Sequence, residues 1–343
     1  MDTEHRIHVE DAREMGALED DAVELVVTSP PYPMIEMWDD LFAELDPDVA
    51  DHLAAGDGGG AFDAMHDALA PVWDELARVL VPGGIAAINV ADATRSVGDD
   101  FRLYPNHAEL VSRLRDRGFA HLPGLVWRKP ANGLTKFMGS GMVPPNAYPT
   151  LEHEYVLLFR NGAESRSFEP GTDHRYEAAY FWEERNEWFS DLWTGVQGAR
   201  QHLDGDGLRE RSAAFPFEIP YRLVNMYSVY GDTVLDPFWG TGTTTLAAMV
   251  AGRNSAGYEL SRDLREAFDD RVSTVETVAD EVNRDRLAAH REFAADEDLD
   301  YDAENYDFCV KTRQERRIQL YTATDYRREG DSYVVSHRTF DGQ

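Results

Sequence analysis

Short apolar runs and longer amphipathic segments alternate along the chain. The apolar runs are typical of buried strands and lie at residues 6–9, 23–27, 85–90 and 233–235. Helical spacing of apolar residues predicts helices at 62–80, 107–117 and about 218–229. A further pair of strands is predicted at 122–127 and 155–159. Strands that alternate with helices favour an α/β fold whose parallel sheet is covered by helices on both faces.

Two regions depart from this alternation. Residues 43–60 are acidic and rich in glycine, a composition that predicts a mobile loop. Residues 162–213 are rich in Trp, Arg and Gly and predict a separate small region. Beyond them, helical spacing continues over 264–275, and alternating residues on either side of Gly330 predict a hairpin near the end of the chain.

The apolar run at 23–27 stops abruptly at the sequence TSPPY, residues 28–32. A proline pair cannot continue a central strand, because proline supplies no backbone N–H. The residue before each proline is also held in an extended or turn conformation. The segment is therefore predicted to form a stiff elbow at the carboxyl end of a strand. Such an elbow can position functional groups or can simply end the strand, and the pattern alone leaves both interpretations open.

A second motif, DPFWGTGTTT, joins another apolar strand to a predicted helix. Gly240 and Gly242 would let the backbone approach a ligand, and the N–H groups at the start of the helix, at Thr243, would face it. Glu259 ends the following strand, where an acidic residue can accept hydrogen bonds from two ribose hydroxyls. Asp236 precedes the turn and could hold a cationic amine. No lysine follows the glycines, so the motif is not a P-loop, and it lacks the third glycine of the dinucleotide fingerprint.

The charge balance is strongly negative, with 64 acidic residues against 33 Lys and Arg and a net charge of −31. Only three of the basic residues are lysines, a composition that resembles proteins from salt-accumulating halophiles. Such a charge repels nucleic acid at low salt. At about 1 M salt the Debye length is only about 3 Å, so local arginines could still bind DNA.

Other features of the composition exclude several classes of protein. The single cysteine, Cys309, argues against a disulfide framework and against a thiolate metal site. No apolar run approaches the roughly 20 residues of a membrane span, and the N-terminus lacks the pattern of a signal peptide. We therefore expect a cytoplasmic protein that does not contact a membrane.

The two motifs together resemble a known family. TSPPY at 28–32, followed much later by DPFWGTGTT at 236–244, is similar to the beta class of DNA amino-methyltransferases. HVEDAREM at 8–15 resembles the segment that contacts the cofactor adenine, and SAAFPFEIP at 212–220 resembles the segment that covers the cofactor methionine. The resemblance covers residues 5–160 and 212–275.

This resemblance implies a Rossmann-like methyltransferase fold with a circularly permuted motif order, in which the strand at 233–235 lies beside the strand at 23–27. The sheet would be mostly parallel with one antiparallel strand pair. The implied methyl donor is S-adenosylmethionine, and the implied substrate is the exocyclic amine of cytosine (N4) or adenine (N6) in double-stranded DNA. No metal is implied, because the sulfonium supplies the driving force.

The resemblance also assigns roles to individual residues. Ser29 and the Pro30 carbonyl would accept the two N–H groups of the target amine, Pro31 would stiffen the elbow, and Tyr32 would stack on a flipped base. The residues that would contact the cofactor are Asp11, Phe215, Pro216, Asp236, Pro237, Phe238, Gly240, Gly242, Thr243 and Glu259.

Four regions follow from this assignment. Residues 1–161 form the catalytic half, 162–213 a target-recognition region, 214–275 the cofactor-binding half and 276–343 a C-terminal helix and hairpin extension. Predicted DNA-binding residues are Lys136, Arg200, Arg211, Arg316 and Arg317. The tryptophans of the second region, Trp182, Trp188 and Trp193, fit either base contact or the packing of a small core.

Serine at the first position of the elbow favours cytosine N4 over adenine N6. The sequence leaves adenine methylation open, as well as methylation of RNA or of a protein amide and a DNA-binding module without activity. A cognate restriction endonuclease is a candidate partner, and solitary methylases of halophilic archaea suggest the palindrome CTAG as a site to test. The sequence does not determine the oligomeric state.

Overall fold

The computed structural model describes residues 1–129, 138–196 and 215–342. Its strands are β1 (Asp2–His8), β2 (Val23–Thr28), β3 (Leu80–Val90), β4 (Ala93–Val97), β5 (Asp100–Tyr104), β6 (Phe119–Arg128), β7 (Met138–Gly139), β8 (Ala147–Tyr148), β9 (His153–Asn161), β10 (Leu192–Trp193), β11 (Thr233–Asp236), β12 (Asn254–Tyr258), β13 (Tyr301–Asp302), β14 (Cys309–Val310), β15 (Tyr321–Glu329) and β16 (Ser332–Thr339). Its α-helices are α1 (Asp39–Leu45), α2 (Asp48–Ala54), α3 (Gly58–Val79), α4 (Asn106–Asp116), α5 (Asp173–Glu177), α6 (Trp182–Trp188), α7 (Glu218–Tyr227), α8 (Thr243–Ala251), α9 (Arg262–Val272) and α10 (Val275–Asp296).

Ten strands form one mixed sheet in the order β10-β6-β9-β3-β2-β11-β12-β1-β16-β15. The central strands β3, β2, β11, β12 and β1 are parallel to one another. Strand β9 pairs antiparallel with both β3 and β6, and β16 pairs antiparallel with β1 and β15. The predicted α/β class, with a mostly parallel centre and an antiparallel strand pair, is confirmed.

Strand β2 contains the apolar run Leu25-Val26-Val27 because helices cover both of its faces. Leu25 and Val27 pack into the core cluster that includes α7 and α8. Val26 points the other way, into the cluster that includes α3 and α4. Since side chains alternate across a strand, burial on both faces requires apolar residues at successive positions.

The order of the central strands departs from chain order where β2 meets β11 and where β12 meets β1. The chain passes from β2 through α3 to β3 on one side, and from β11 through α8 to β12 on the other. Strands β2 and β11 are therefore neighbours, with Val234 opposite Leu25 and Leu235 opposite Val26. This confirms the predicted pairing, and it creates a crevice at the carboxyl ends of the two strands, where ligands of α/β sheets bind.

The prediction of a mobile loop at 43–60 is wrong. Most of that stretch lies in α1 and α2 and in the start of α3. The Asp57 carboxylate accepts a hydrogen bond from the Gly60 N–H and so caps α3, which explains an acidic, glycine-rich sequence at a helix start. Phe42 and Val49 are fully buried, so α1 and α2 are anchored to the core.

The described parts of the second and fourth predicted regions share the main sheet. Strand β10 pairs with β6, and the predicted hairpin, formed by β15 and β16, pairs with β1. A small third core joins α6 and α10 to the segments around β14 and β16; its buried members are Phe181, Leu287, Val310, Ile318, Leu320 and Phe340. The division into four functional regions stays a prediction.

Within the described ranges, none of the helices has the length and apolar character needed to cross a membrane.

Candidate functional site

A cavity of about 860 Å³ lies in the crevice at the carboxyl ends of β2 and β11. Both sequence motifs contribute to its wall. The predicted site residues that line it are Asp11, Ser29, Pro30, Pro31, Phe215, Asp236, Pro237, Phe238, Gly240, Thr243 and Glu259. The predicted residues that do not line it are Tyr32, Pro216 and Gly242. The structure thus brings the elbow and the glycine turn to one space, although about 200 residues separate them in the chain.

Hydrogen bonds tie the elbow to the glycine turn. The Thr28 hydroxyl donates to the Asp236 carboxylate at 2.7 Å, across the ends of β2 and β11. The Thr244 hydroxyl, in the first turn of α8, donates to the Val27 carbonyl at 3.2 Å. These contacts fix the distance between the two motifs, so the elbow and the turn form one rigid wall of the cavity.

The chain has an unusual backbone conformation two residues beyond the elbow. Met34 has φ of +67°, in the left-handed region that residues other than glycine rarely adopt. Its side chain is only 1% exposed, and its N–H donates to the Met65 sulfur at 3.2 Å. Core packing therefore holds the chain just beyond the elbow in a conformation that it would otherwise avoid.

A buried hydrogen-bond network lies behind Ser29. The Tyr32 hydroxyl lies 2.8 Å from Ser29 Oγ and donates to Glu154 Oε2 at 3.0 Å. Asn89 Nδ2 donates to both the Tyr32 oxygen at 2.8 Å and Glu154 Oε2 at 2.6 Å. Lys129 Nζ donates to Glu154 Oε1 at 2.8 Å. Burial, followed by the nearby Glu154 carboxylate, raises the pKa of Tyr32 well above its usual value, so its hydroxyl keeps its proton.

Sequence reasoning missed Asn89 and Glu154. Each is a polar residue within an otherwise apolar run, INV in β3 and HEYVLLF in β9, and each is less than 7% exposed. A polar side chain inside a buried strand is the signal that could have found them, because such a group needs a hydrogen-bond partner. Stacking of the Tyr32 ring on a base stays a prediction.

The two glycines of the turn serve different purposes. Gly242 has φ of +72°, and a Cβ there would lie 2.6 Å from the rings of Phe268 and Trp239. Gly240 has φ of +54°, and a Cβ there would approach only the Phe238 carbonyl, at 3.8 Å. Gly242 is therefore required by packing inside the protein, whereas Gly240 leaves space on the side of the cavity.

Two carboxylates of the cavity wall are held by the backbone. Glu259 accepts hydrogen bonds from the N–H groups of Gly240 and Ser261, both at 2.8 Å, and burial raises its pKa. Asp236 accepts from Thr28 and from the Phe238 N–H, and burial raises the pKa of Asp236 to about 6. Each carboxylate keeps lone pairs for a ligand.

Carboxylates outnumber cationic groups among the described residues of the cavity wall. The acidic residues there are Glu10, Asp11, Asp40, Glu44, Asp236, Glu259 and Asp263, against a single cation, Arg13. Arg13 is itself paired with Asp11 at 2.8 Å. The cavity therefore presents a negative potential that favours a positively charged ligand.

The two predicted DNA-binding residues that the structure describes, Arg316 and Arg317, do not line the cavity. Arg316 pairs with Glu304 at 3.2 Å, and Arg317 pairs with Asp173 at 2.6 Å. Lys136, Arg200 and Arg211 are outside the described residues. Contact of these five residues with DNA stays a prediction. Of the three tryptophans, Trp188 and Trp193 are buried in the core and Trp182 is 37% exposed.

Within residues 1–129, 138–196 and 215–342, no group of three or more His, Cys, Asp or Glu side chains is placed to hold a metal ion.

A family model described as DNA methylase, of the N6 and N4 type, matches residues 23–269 of the chain. The chain belongs to this DNA methylase family. The match includes the elbow, Glu154 and the glycine turn, and so covers both motifs that line the cavity.

Two Type II methyltransferases are similar over most of this methylase's length. Type II methyltransferase M.MthZI of Methanothermobacter thermautotrophicus is 49% identical over 96% of this chain and 93% of its own length. Type II methyltransferase M.MjaI of Methanocaldococcus jannaschii is 46% identical over 79% of this chain and 91% of its own. A Thermus thermophilus protein, crystallised with S-adenosyl-L-methionine, matches with a TM-score of 0.62 and 31% identity over 79% of this chain and 94% of that one.

Replacing Gly242 by alanine should destabilise the methylase more than the same change at Gly231. Both glycines have positive φ, but an added Cβ at Gly231 meets nothing within 4 Å. We expect a loss of about 2–4 kcal/mol for Gly242→Ala, from backbone strain and overpacking, and about 1–2 kcal/mol for Gly231→Ala, from strain alone. Denaturant unfolding of both variants measures the difference, and equal losses would contradict the steric role of the Gly242 site.

Proposed function

We propose that the protein transfers a methyl group from S-adenosylmethionine to the N4 amine of cytosine in double-stranded DNA. The observation that carries this proposal is the shared cavity, in which Ser29 of the elbow and Gly240 of the turn face one space. The position of that cavity, at the switch between β2 and β11, is where ligands bind in sheets of this type.

The cavity fits the proposed cofactor in size and in charge. Its volume of about 860 Å³ lies within the range of roughly 300–1,000 Å³ that holds small molecules. S-adenosylmethionine carries a sulfonium and an ammonium group, which suit a wall rich in carboxylates. We assign the ribose hydroxyls to Glu259, which directly follows β12, and the ammonium group to Asp236. The similarity to the Thermus protein crystallised with this cofactor supports the assignment.

An exocyclic amine is a weak nucleophile because its lone pair is delocalised into the ring. When bound, the cofactor supplies an electrophilic methyl group. Ser29 Oγ and the Pro30 carbonyl would accept the two N–H groups of the amine and turn its lone pair out of conjugation. This would hold the nitrogen about 3–3.5 Å from the methyl carbon, in line with its bond to sulfur. The proline pair suits that task because it fixes the direction of the carbonyl.

The target base must leave the duplex before it can reach Ser29, because the amine is buried in the base pair. The net charge of −31 opposes the approach of DNA at low salt. We therefore expect DNA binding to depend on local contacts and on screening by salt. The two similar Type II methyltransferases support a proposed pairing with a restriction endonuclease.

Serine at the start of the elbow is the residue that favours cytosine over adenine. Incubation of unmethylated duplex DNA with the protein and S-adenosylmethionine, followed by analysis of methylated nucleosides, tests this assignment. We expect N4-methylcytosine, and N6-methyladenine alone would overturn it. CTAG is the first site to test, and methylation sequencing of the treated DNA identifies the site independently of that choice.

The Ser29→Ala variant should transfer methyl groups roughly 10- to 100-fold more slowly, because one acceptor for the target amine is lost. Its affinity for the cofactor should stay nearly unchanged. Methyl transfer is measured with tritiated cofactor and cofactor binding by calorimetry. Ser96→Ala, at an exposed position of β4, is the control for serine removal. Full activity of Ser29→Ala would contradict the proposed role of the elbow.

The Glu259→Ala variant should bind the cofactor roughly 10- to 100-fold more weakly, because the ribose loses its acceptors and the Gly240 N–H loses its partner. Calorimetric titration with S-adenosylmethionine measures the affinity. Glu266→Ala removes an exposed carboxylate of α9 and should bind normally. Equal affinities for both variants would exclude Glu259 from the cofactor site.

Cofactor affinity should fall as the pH drops through the pKa of Asp236, about 6. The ionised carboxylate attracts the cofactor ammonium, so we expect about tenfold weaker binding at pH 5 than at pH 8. The stability of the free protein has the opposite dependence. Because the folded pKa is raised above 3.8, the contribution of Asp236 is fully present below that value and is lost as the pH rises through about 6.

The Asp236→Asn variant is the control for this pH dependence. Calorimetry at both pH values should give it nearly equal affinities, since the amide does not titrate. A parallel fall in affinity for the variant and for the unaltered protein would assign the effect to another group.

A further inference from the structure

The network behind Ser29 has a fixed direction of hydrogen donation. At its inner end, Glu154 receives hydrogen bonds on both carboxylate oxygens, from Asn89 Nδ2 and from Lys129 Nζ. An amide nitrogen and an ammonium group can only donate. If the Asn89 amide were reversed, its Oδ1 would lie about 2.6 Å from Glu154 Oε2. Both atoms are acceptors, so that orientation is unfavourable. Glu154 is therefore the terminal acceptor of the network.

The direction then passes outward to Tyr32. Its oxygen accepts from Asn89 Nδ2, and its only hydrogen goes to Glu154 Oε2. The remaining contact, 2.8 Å from Ser29 Oγ, must then be a hydrogen bond that Ser29 donates and Tyr32 accepts. Serine has a single hydroxyl hydrogen, so this contact uses it, and the lone pairs of Ser29 Oγ are left for the cavity.

Burial makes this direction persistent. Tyr32, Asn89 and Glu154 are each no more than 6% exposed, whereas Ser29 is half-buried and lines the cavity. A buried carboxylate and phenol are costly to leave unpaired, so the orientation of the Asn89 amide in which Nδ2 donates to both Tyr32 and Glu154 is strongly favoured. A ligand that required Ser29 to donate would break this arrangement.

We propose that Asn89, Tyr32 and Glu154 form a positioning relay that makes Ser29 an obligatory acceptor, so that the site takes an amino base and rejects the corresponding keto base. The proposal rests on the proposed function and specifies how its target is selected. Cytosine presents an N4 amino donor at the position where uracil and thymine present an O4 acceptor. Opposite the O4 atom of a keto base, Ser29 Oγ would face another acceptor, and no hydrogen bond could form between them.

The relay can be tested by whether it acts through Ser29. Tyr32→Phe keeps the ring and removes only the hydroxyl, so any stacking is preserved. We expect methyl transfer to duplex DNA to slow roughly tenfold, with unchanged cofactor affinity by calorimetry. In the Ser29→Ala background, the same change should cost less than about twofold, because the hydroxyl that the relay orients is already absent.

A tyrosine of the same strand as Glu154 provides the matched control. Tyr155→Phe removes a hydroxyl outside the relay and should leave the rate unchanged, and thermal unfolding monitors stability in every variant. If Tyr32→Phe slows the Ser29→Ala protein as much as it slows the unaltered protein, the relay does not act through Ser29 and the proposal fails. Absence of methyl transfer by the unaltered protein would instead overturn the proposed function.

A second test measures the selectivity between amino and keto bases. It compares two DNA duplexes that carry the methylated site found by sequencing and differ only at the target position, which is cytosine in one and uracil in the other. If adenine is the target, the two duplexes carry adenine and hypoxanthine instead. We expect the unaltered protein to bind the cytosine duplex at least tenfold more tightly in a fluorescence competition.

Tyr32→Phe removes the oxygen to which the Ser29 hydroxyl donates. The Ser29 hydroxyl is then free to donate into the cavity. The preference for cytosine over uracil should therefore fall at least threefold. A preference equal to that of the unaltered protein would show that the relay does not set the direction of the Ser29 hydroxyl.

Discussion

The pairing of β2 with β11 is the constraint on which the site depends. These strands come from opposite halves of the chain, yet Val234 lies opposite Leu25 in one parallel ladder. The hydrogen bond from Thr28 to Asp236 continues that pairing beyond the last ladder contact. Because parallel strands end at the same edge of a sheet, the elbow and the glycine turn must then face one cavity.

Much of the fold could be predicted from the sequence because β2, β3 and β11 are buried on both faces and each contains a short apolar run. The prediction failed at 43–60. The capping aspartate and the glycines there have a composition typical of loops, but buried Phe42 and Val49 anchor α1 and α2 to the core. The adjacency of the two motifs came from family resemblance, since periodicity carries no information about strand order. Asn89 and Glu154 were missed because their partners are distant in sequence.

The charges of this protein are organised differently at the cavity and at the surface. Around the cavity, the described wall residues are mostly carboxylates with one cation, Arg13, which suits a cationic cofactor. Elsewhere, arginines such as Arg316 and Arg317 are paired with neighbouring carboxylates. The positive charges of these arginines are thus partly neutralised by nearby carboxylates and are less available to attract a polyanion. A salt-rich host stays a prediction from composition.

The left-handed backbone of Met34 has a consequence for how the site works. Pro30, Pro31 and Pro33 precede Met34, and the Met34 side chain is buried, so the loop has few alternative conformations. The conformational entropy of ordering the elbow is therefore lost when the chain folds, and it need not be lost again when a base arrives. The free energy gained when the nucleotide binds is then available to flip the base out of its stack. A flexible loop would use part of that free energy for its own ordering, so flipping would be less favourable.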